Sequence, residues 1–248
     1  MSREVLFSFI ITSLAGLSTV LGTLFILIKK KKEVIIPATL SLTIGVMLAT
    51  SVIDLVPSSL QLLQIKFTLI PSILLSLIFL SVGVVISLTI DKLLPTTDDN
   101  QLYRVGIISM LAIILHNIPE GMATFMVSNA DIKLGISLAV AIALHNIPEG
   151  ISISIPIYHS TKCKRKAFLF TFISGMSELL GAIITYLFLG SYINNTIIGL
   201  LFGLIAGIMI HISLYELLPT VKKYKNNKLS IIYFIIGVLI VYINHNFF

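Results

Sequence analysis

Eight apolar runs follow one another along the sequence, at about 5–28, 36–63, 68–91, 103–128, 134–157, 167–189, 196–219 and 229–247. A bilayer core of roughly 30 Å needs about 20 helical residues to cross it. Each run is long enough. Only helices and closed barrels satisfy every backbone polar group inside lipid, and continuous apolar runs of this length predict helices. The fold class expected is therefore an all-α integral membrane protein with eight transmembrane helices. The chain is 56% hydrophobic and 11% charged, whereas a soluble domain carries about a quarter charged residues. The apolar excess is spread over the whole length, which excludes a soluble core with one anchor. The first run is too long for a signal-peptide core and reads as a mature helix. The connections are short, so one transmembrane domain over 1–248 is expected.

Orientation follows from the basic residues. Loops one, three, five and seven hold Lys29–Lys32, Lys92 and Arg104, Lys162 and Lys164–Lys166 (with Arg165 between), and Lys222, Lys223, Lys225 and Lys228. Together they carry 14 of the 17 Lys and Arg residues; Arg3, Lys66 and Lys133 are left for the other side. Cytoplasmic loops retain positive charge. With an even number of crossings, both termini should lie outside the cytoplasm, in a multi-pass protein of the cell membrane. The net charge of +6 thus reads as a topology signal, and nucleic acid is not expected as a partner. The one cysteine, Cys163, offers neither an intrachain disulfide nor a thiolate cluster.

The acids behave differently from the bases. Asp54, Glu120, Glu149, Glu178 and Glu216 fall within the spans, as do His116, His145 and His211. A charged group at bilayer depth costs at least ~2.5–3.5 kcal/mol. Five carboxylates with no Lys or Arg in mid-span call for another positive charge, either protons or bound cations. The heptapeptide LHNIPEG narrows the choice. It occurs at 115–121 and again at 144–150. Within it His and Glu are four residues apart and Asn and Glu three, so all three side chains share one helix face. Pro119 and Pro148 should free the carbonyls of Leu115 and Leu144 and kink both helices. Each helix then offers imidazole nitrogen, amide oxygen and carboxylate oxygen. Glu178, in SGMSELLGA at 174–182, adds an acid from the sixth helix.

A fainter repeat links GVMLATSVIDLVP (45–57) to GIMIHISLYELLP (207–219). Gly45, Met47, Ser51, Asp54 and Pro57 pair with Gly207, Met209, Ser213, Glu216 and Pro219 at one offset, 162. The second and seventh helices run in opposite directions, as do the fourth and fifth. The arrangement expected is 3+2+3: three helices, a central inverted pair, and three more. Inverted repeats are a transporter signature, with the substrate site at the repeat interface.

HNIPEG on the fourth helix, HNIPEG on the fifth and SGMSE on the sixth closely resemble the ZIP (Zrt-, Irt-like protein) divalent metal transporters, in particular the prokaryotic broad-specificity branch. The resemblance implies uptake of Zn²⁺ and related divalent ions (Fe²⁺, Mn²⁺, Co²⁺, Cd²⁺) as transported substrate, with no cofactor. It implies a binuclear site with His116, Asn117, Glu120, His145, Asn146, Glu149 and Glu178 as ligands. Met47 matches a family ligand position more loosely; Asp54, His211 and Glu216 are candidates for the transport path. It also implies an elevator-like motion, helices 1, 4, 5 and 6 carrying metal past helices 2, 3, 7 and 8. The sequence departs from the family in two places. The loop DKLLPTTDDN (91–100) has no histidine, so Asp98 and Asp99 would offer only an oxygen site, and Leu179 follows Glu178 where the family often has proline. An enzyme is not expected: metalloproteolysis would want H-E-x-x-H, and both motifs read H-N-I-P-E. The alternative is a proton-coupled carrier of a non-metal solute that uses the same carboxylates as a relay. Partners are divalent ions and membrane lipid; homodimerisation is left open.

Overall fold

A computed structural model of the protein describes residues 2–93, 101–189 and 194–247. Among them no strand occurs. Eight helices are long and apolar enough to cross a membrane: α1 Arg3–Leu27, α2 Lys32–Gln64, α3 Leu69–Leu93, α4 Gln101–Ala130, α5 Ile132–Thr161, α6 Lys164–Phe188, α7 Asn195–Lys222 and α8 Asn227–Asn246. Asp131 caps α5 by accepting from the amides of Lys133 and Leu134, and Asn194 caps α7 by accepting from that of Ile197. The loop acids Asp98 and Asp99 lie outside the described residues.

The prolines act where the motif did not point. α4 and α5 run as continuous helices through Pro119 and Pro148. α1 tightens to 3-10 geometry over Thr19–Leu27, and α6 ends in a widened turn at Thr185–Leu189; α2 and α7 are each interrupted by a single widened π-type turn, at Thr50–Leu55 and Ile212–Leu217. Pro57 and Pro219 follow each turn by two residues. A proline cannot donate to the carbonyl four residues back, and a widened turn re-aims the ladder around it. The two turns are separated by the offset of the sequence repeat, 162, so the backbone repeats what the side chains repeat. Asp54 and Glu216 sit inside them.

Glycine contacts divide the helices into two groups. Gly16 and Gly175 face each other between α1 and α6: a Cβ on either would lie 2.3 Å from the other's carbonyl oxygen. Gly45 meets Phe234 in α8, Gly207 meets Leu80 in α3, Gly121 meets Glu178 in α6, and Gly150 meets Thr19 in α1. For all fourteen described glycines the nearest atoms lie within the set α1, α4, α5, α6 or within the set α2, α3, α7, α8. Small residues let membrane helices approach backbone to backbone, so each set is knit tightly. Between the sets lies a layer of bulkier side chains, including Ile36, Leu40, Ile44 and Met47 of α2, Ile151 and Ile155 of α5, and Ile208 and Met209 of α7. Polar links across it are made by Thr43, whose hydroxyl donates to Pro148 O (2.9 Å), and by Arg104 of α4, which reaches Asp91 of α3.

Candidate metal site

α4 and α5 pack side by side in antiparallel fashion, and their motifs cross. His145 Nε2 donates to Glu120 Oε1 at 2.8 Å. His116 Nε2 approaches Glu149 Oε1 to 3.0 Å without the alignment of a hydrogen bond. Each histidine therefore meets the glutamate of the other copy, which is what a four-residue spacing on two antiparallel helices requires. The asparagines obey the same two-fold pattern. Asn117 Nδ2 donates to Ser174 O of α6 (3.3 Å), and Asn146 Nδ2 to Ala15 O of α1 (3.1 Å). Ala15 and Ser174 are 159 residues apart, as are Gly16 and Gly175, so α1 and α6 are the flanking members of the inverted repeat.

The symmetry breaks at one point that matters. Glu178 in α6 corresponds to Thr19 in α1. Gly121 makes room for the Glu178 backbone and Gly150 for that of Thr19. Only α6 thus brings a carboxylate. Glu178 Oε1 accepts from Asn146 Nδ2. Leu179 leaves α6 regular around Glu178, from Lys164 to Ile184.

Sequence reasoning placed seven ligands here, and the structure brings them onto three adjoining helices of one set. His116, Asn117, Glu120, Asn146, Glu149 and Glu178 are buried; His145 is partly buried. The amide nitrogens are used on backbone carbonyls, which leaves Asn117 Oδ1 and Asn146 Oδ1 without partners. Glu120 Oε2, Glu149 Oε2, Glu178 Oε2 and His116 Nδ1 are also buried and unpartnered. Buried polar atoms are nearly always paired. A group of orphaned acceptors, with no Lys or Arg among them, suits a cation. As they stand, no three His, Cys, Asp or Glu side chains among the described residues converge as metal ligands. The imidazoles are turned to the carboxylates, and a metal has to part those pairs.

The four path candidates lie in the other helix set. Met47 is fully buried in the aliphatic layer. His211 hydrogen-bonds through Nδ1 to Ser87 Oγ (2.8 Å) and stacks on Tyr215, with Nε2 buried and unpartnered. Glu216 lies 3.6 Å from Arg104 Nη1, and Arg104 also binds Asp91. The expectation that the intramembrane acids lack an Arg counter-ion is thus corrected for Glu216. The first turn of α4 lies beside the ends of α3 and α7, and the long Arg104 side chain spans the gap. Asp54 lies at the far end, paired with His245 Nδ1 of α8 at 2.6 Å. A cavity of about 210 Å³ connects this pair to Glu120 and His145, and a wider groove of about 840 Å³ continues from it past Ser58 and Asn195. Both open toward the end of the molecule away from the lysine-rich loops. Arg104, Asp91 and His245 were not singled out from sequence as site residues. The signal for His245 was faint: it stands 154 residues after Asp91, the offset that relates α8 to α3.

Eight spanning helices, an inverted repeat and a buried His/Asn/Glu cluster at its axis define a polytopic membrane protein of the transporter class. Residues 95–245 match the family described as ZIP zinc transporter. The chain is 37% identical to the zinc transporter ZupT of Streptococcus mutans, over 97% of each chain. It is 36% identical to that of Clostridium perfringens, over 96% of this chain and 94% of the relative, and 38% identical to that of Chlorobaculum parvum, over 93% of each. The protein belongs to the ZIP family. Its relatives are named as transporters, in keeping with the absence of an expected enzymatic motif.

Proposed function

We propose that the protein takes up Zn²⁺ and related divalent transition metals across the cell membrane into the cytoplasm, through two adjacent metal positions bridged by Glu120 and Glu149. The observation that carries this reading is the set of buried, unpartnered acceptor atoms from His116, Asn117, Glu120, Asn146, Glu149 and Glu178. Imidazole with carboxylate suits Zn²⁺, Fe²⁺, Mn²⁺ and Co²⁺. Ca²⁺ and Mg²⁺ prefer all-oxygen shells, and Cu⁺ would want sulfur. The names of the relatives point the same way. Glu120 and Glu149 stand about one helical turn apart across the α4–α5 contact, each against the histidine of the other copy, and one divalent ion between them would neutralise both while leaving each a second oxygen. Asn117, Asn146 and Glu178 then serve a second ion. The cavity from the lysine-poor side reaches Glu120 and His145, so entry from outside meets the site directly.

The test is initial-rate uptake of radioactive Zn²⁺ into vesicles carrying the purified protein, with competing divalent ions, beside elemental analysis of bound metal. Two metals per chain and loss of uptake in Glu120→Ala and Glu149→Ala are expected. One metal per chain refutes the bridged pair. Proton movement with no metal uptake would favour the proton-coupled carrier instead.

A further inference from the structure

An acid and an imidazole stand outside the motif helices, at the mouth of the cavity. Asp54 sits in the widened turn of α2, 31% exposed, and His245 in the last turn of α8, 50% exposed. Both line the cavity whose inner wall carries Glu120 and His145. Asn244 lines it too, and its Oδ1 is buried with no partner.

The inverted repeat gives an independent comparison within the molecule. α2 corresponds to α7 at offset 162. α3 corresponds to α8 at offset 154, fixed by Gly83 and Gly237, which admit the carbonyls of Leu204 and Leu42. Asp54 therefore corresponds to Glu216, and His245 to Asp91. At the lysine-rich end that pair of positions holds a cation, the Arg104 guanidinium. The repeat partner of Arg104 in α5, 29 residues on, is Lys133, which is exposed. Positions that bind a built-in cation at one end thus stand open to the cavity at the other, with one carboxylate and one imidazole.

We propose that Asp54 and His245, with Asn244 Oδ1 beside them, form a capture site that takes a divalent transition metal from outside and passes it to Glu120 and His145. The proposal rests on the metal-uptake reading above. Mixed nitrogen and oxygen ligands favour borderline divalent ions over Na⁺ or Ca²⁺. Two protein ligands and an amide leave positions for water, so the ion is held weakly enough to move on.

The experiment is radioactive Zn²⁺ uptake by the full chain in vesicles, measured against external Zn²⁺ concentration. The variants are Asp54→Asn, His245→Ala, His245→Asp and His245→Lys. Lysine preserves an ion pair with Asp54 but offers no free lone pair. Loss of a capture ligand raises KM on the order of tenfold, with the maximal rate within about twofold, in the Asn, Ala and Lys variants. His245→Asp, which keeps a ligand, stays near the unmodified protein. Unchanged KM in Asp54→Asn and His245→Ala overturns the capture site and leaves metal uptake standing. A normal KM in His245→Lys also overturns it, because the pair is then only a tie between α2 and α8. Absence of metal uptake by the unmodified protein refutes the transport reading and this site with it.

Discussion

Replacing Gly121 by alanine adds one methyl group at the closest approach of α4 to α6. The new Cβ would lie 2.0 Å from Glu178 O and 2.7 Å from Glu178 Cα. A carbon and a carbonyl oxygen in contact stand roughly 3.3 Å apart, so α6 must retreat by roughly 1.3 Å. Both obstructing atoms are backbone, so no side-chain rotation relieves the clash. Overpacking of this kind costs about 1–3 kcal/mol of stability. The functional effect is larger, because metal ligands tolerate only about 0.2 Å of displacement, and the segment displaced carries Glu178. Gly45→Ala is the matched control. Its Cβ would lie 2.2 Å from Phe234 O, an equal insult between α2 and α8, in the set that carries none of the seven motif ligands. Both variants should melt at lower temperature than the unmodified protein. Metal titration of the purified proteins should then separate them: Gly45→Ala keeps two metals, and Gly121→Ala keeps one. A folded Gly121→Ala protein with unaltered metal stoichiometry would refute the claim that this contact sets Glu178 in the site.

Acidification should weaken metal binding, since protons compete for the imidazoles and carboxylates that ligation needs neutral and ionised respectively; titration from neutral to acidic pH checks the sign, and His116→Ala, His145→Ala together should flatten the dependence. Arg104→Gln leaves Asp91 and Glu216 without their shared cation and should destabilise the protein by about 2–5 kcal/mol, part of which Glu216→Gln should restore in a thermal-melt double-mutant cycle. Cys163 should resist an impermeant thiol reagent in intact cells and react after permeabilisation, whereas Asn129→Cys in a Cys163→Ser background should react in intact cells; the reverse pattern would overturn both the orientation and the inward direction of transport.

The eight spans were legible because bilayer thickness turns into a residue count, and apolar runs can be counted. The motif was legible because its chemistry is local: His, Asn and Glu lie within five residues, and one face of one helix holds them. The second repeat also carried over, down to the paired widened turns around Asp54 and Glu216. What could not be seen depends on distance along the chain. Arg104 reaches Asp91 and Glu216 from a helix start that sequence assigns to a loop, and nothing local marks a side chain that will bridge three helices. His245 lies 191 residues from Asp54, with no motif around it. The continuity of α4 and α5 across Pro119 and Pro148 has another cause. A proline removes one donor from a helix, but whether the helix opens depends on its neighbours. Here Gly121 and Gly150, each two residues past its proline, bring adjoining backbones close, and both helices stay continuous.

The two helix sets differ in the kind of contact that joins them. Within a set, glycines place backbone against backbone, and displacement along the contact meets the next turn of helix at once. Between sets, the layer of Ile, Leu and Met side chains presents methyl groups to methyl groups. Such surfaces exchange one apolar neighbour for another at little loss, because dispersion contacts are individually weak and non-directional. Polar links between the sets among the described residues include the Thr43 hydroxyl at Pro148 and the Arg104 guanidinium at the lysine-rich end, and these would have to break for one set to slide. All seven motif ligands belong to α4, α5 and α6, inside a single set. A cation bound there would keep its ligands while the set moves, and its charge would balance the carboxylates of Glu120, Glu149 and Glu178. The metal cost of entering the membrane is then met once, at binding, and need not be met again during transfer.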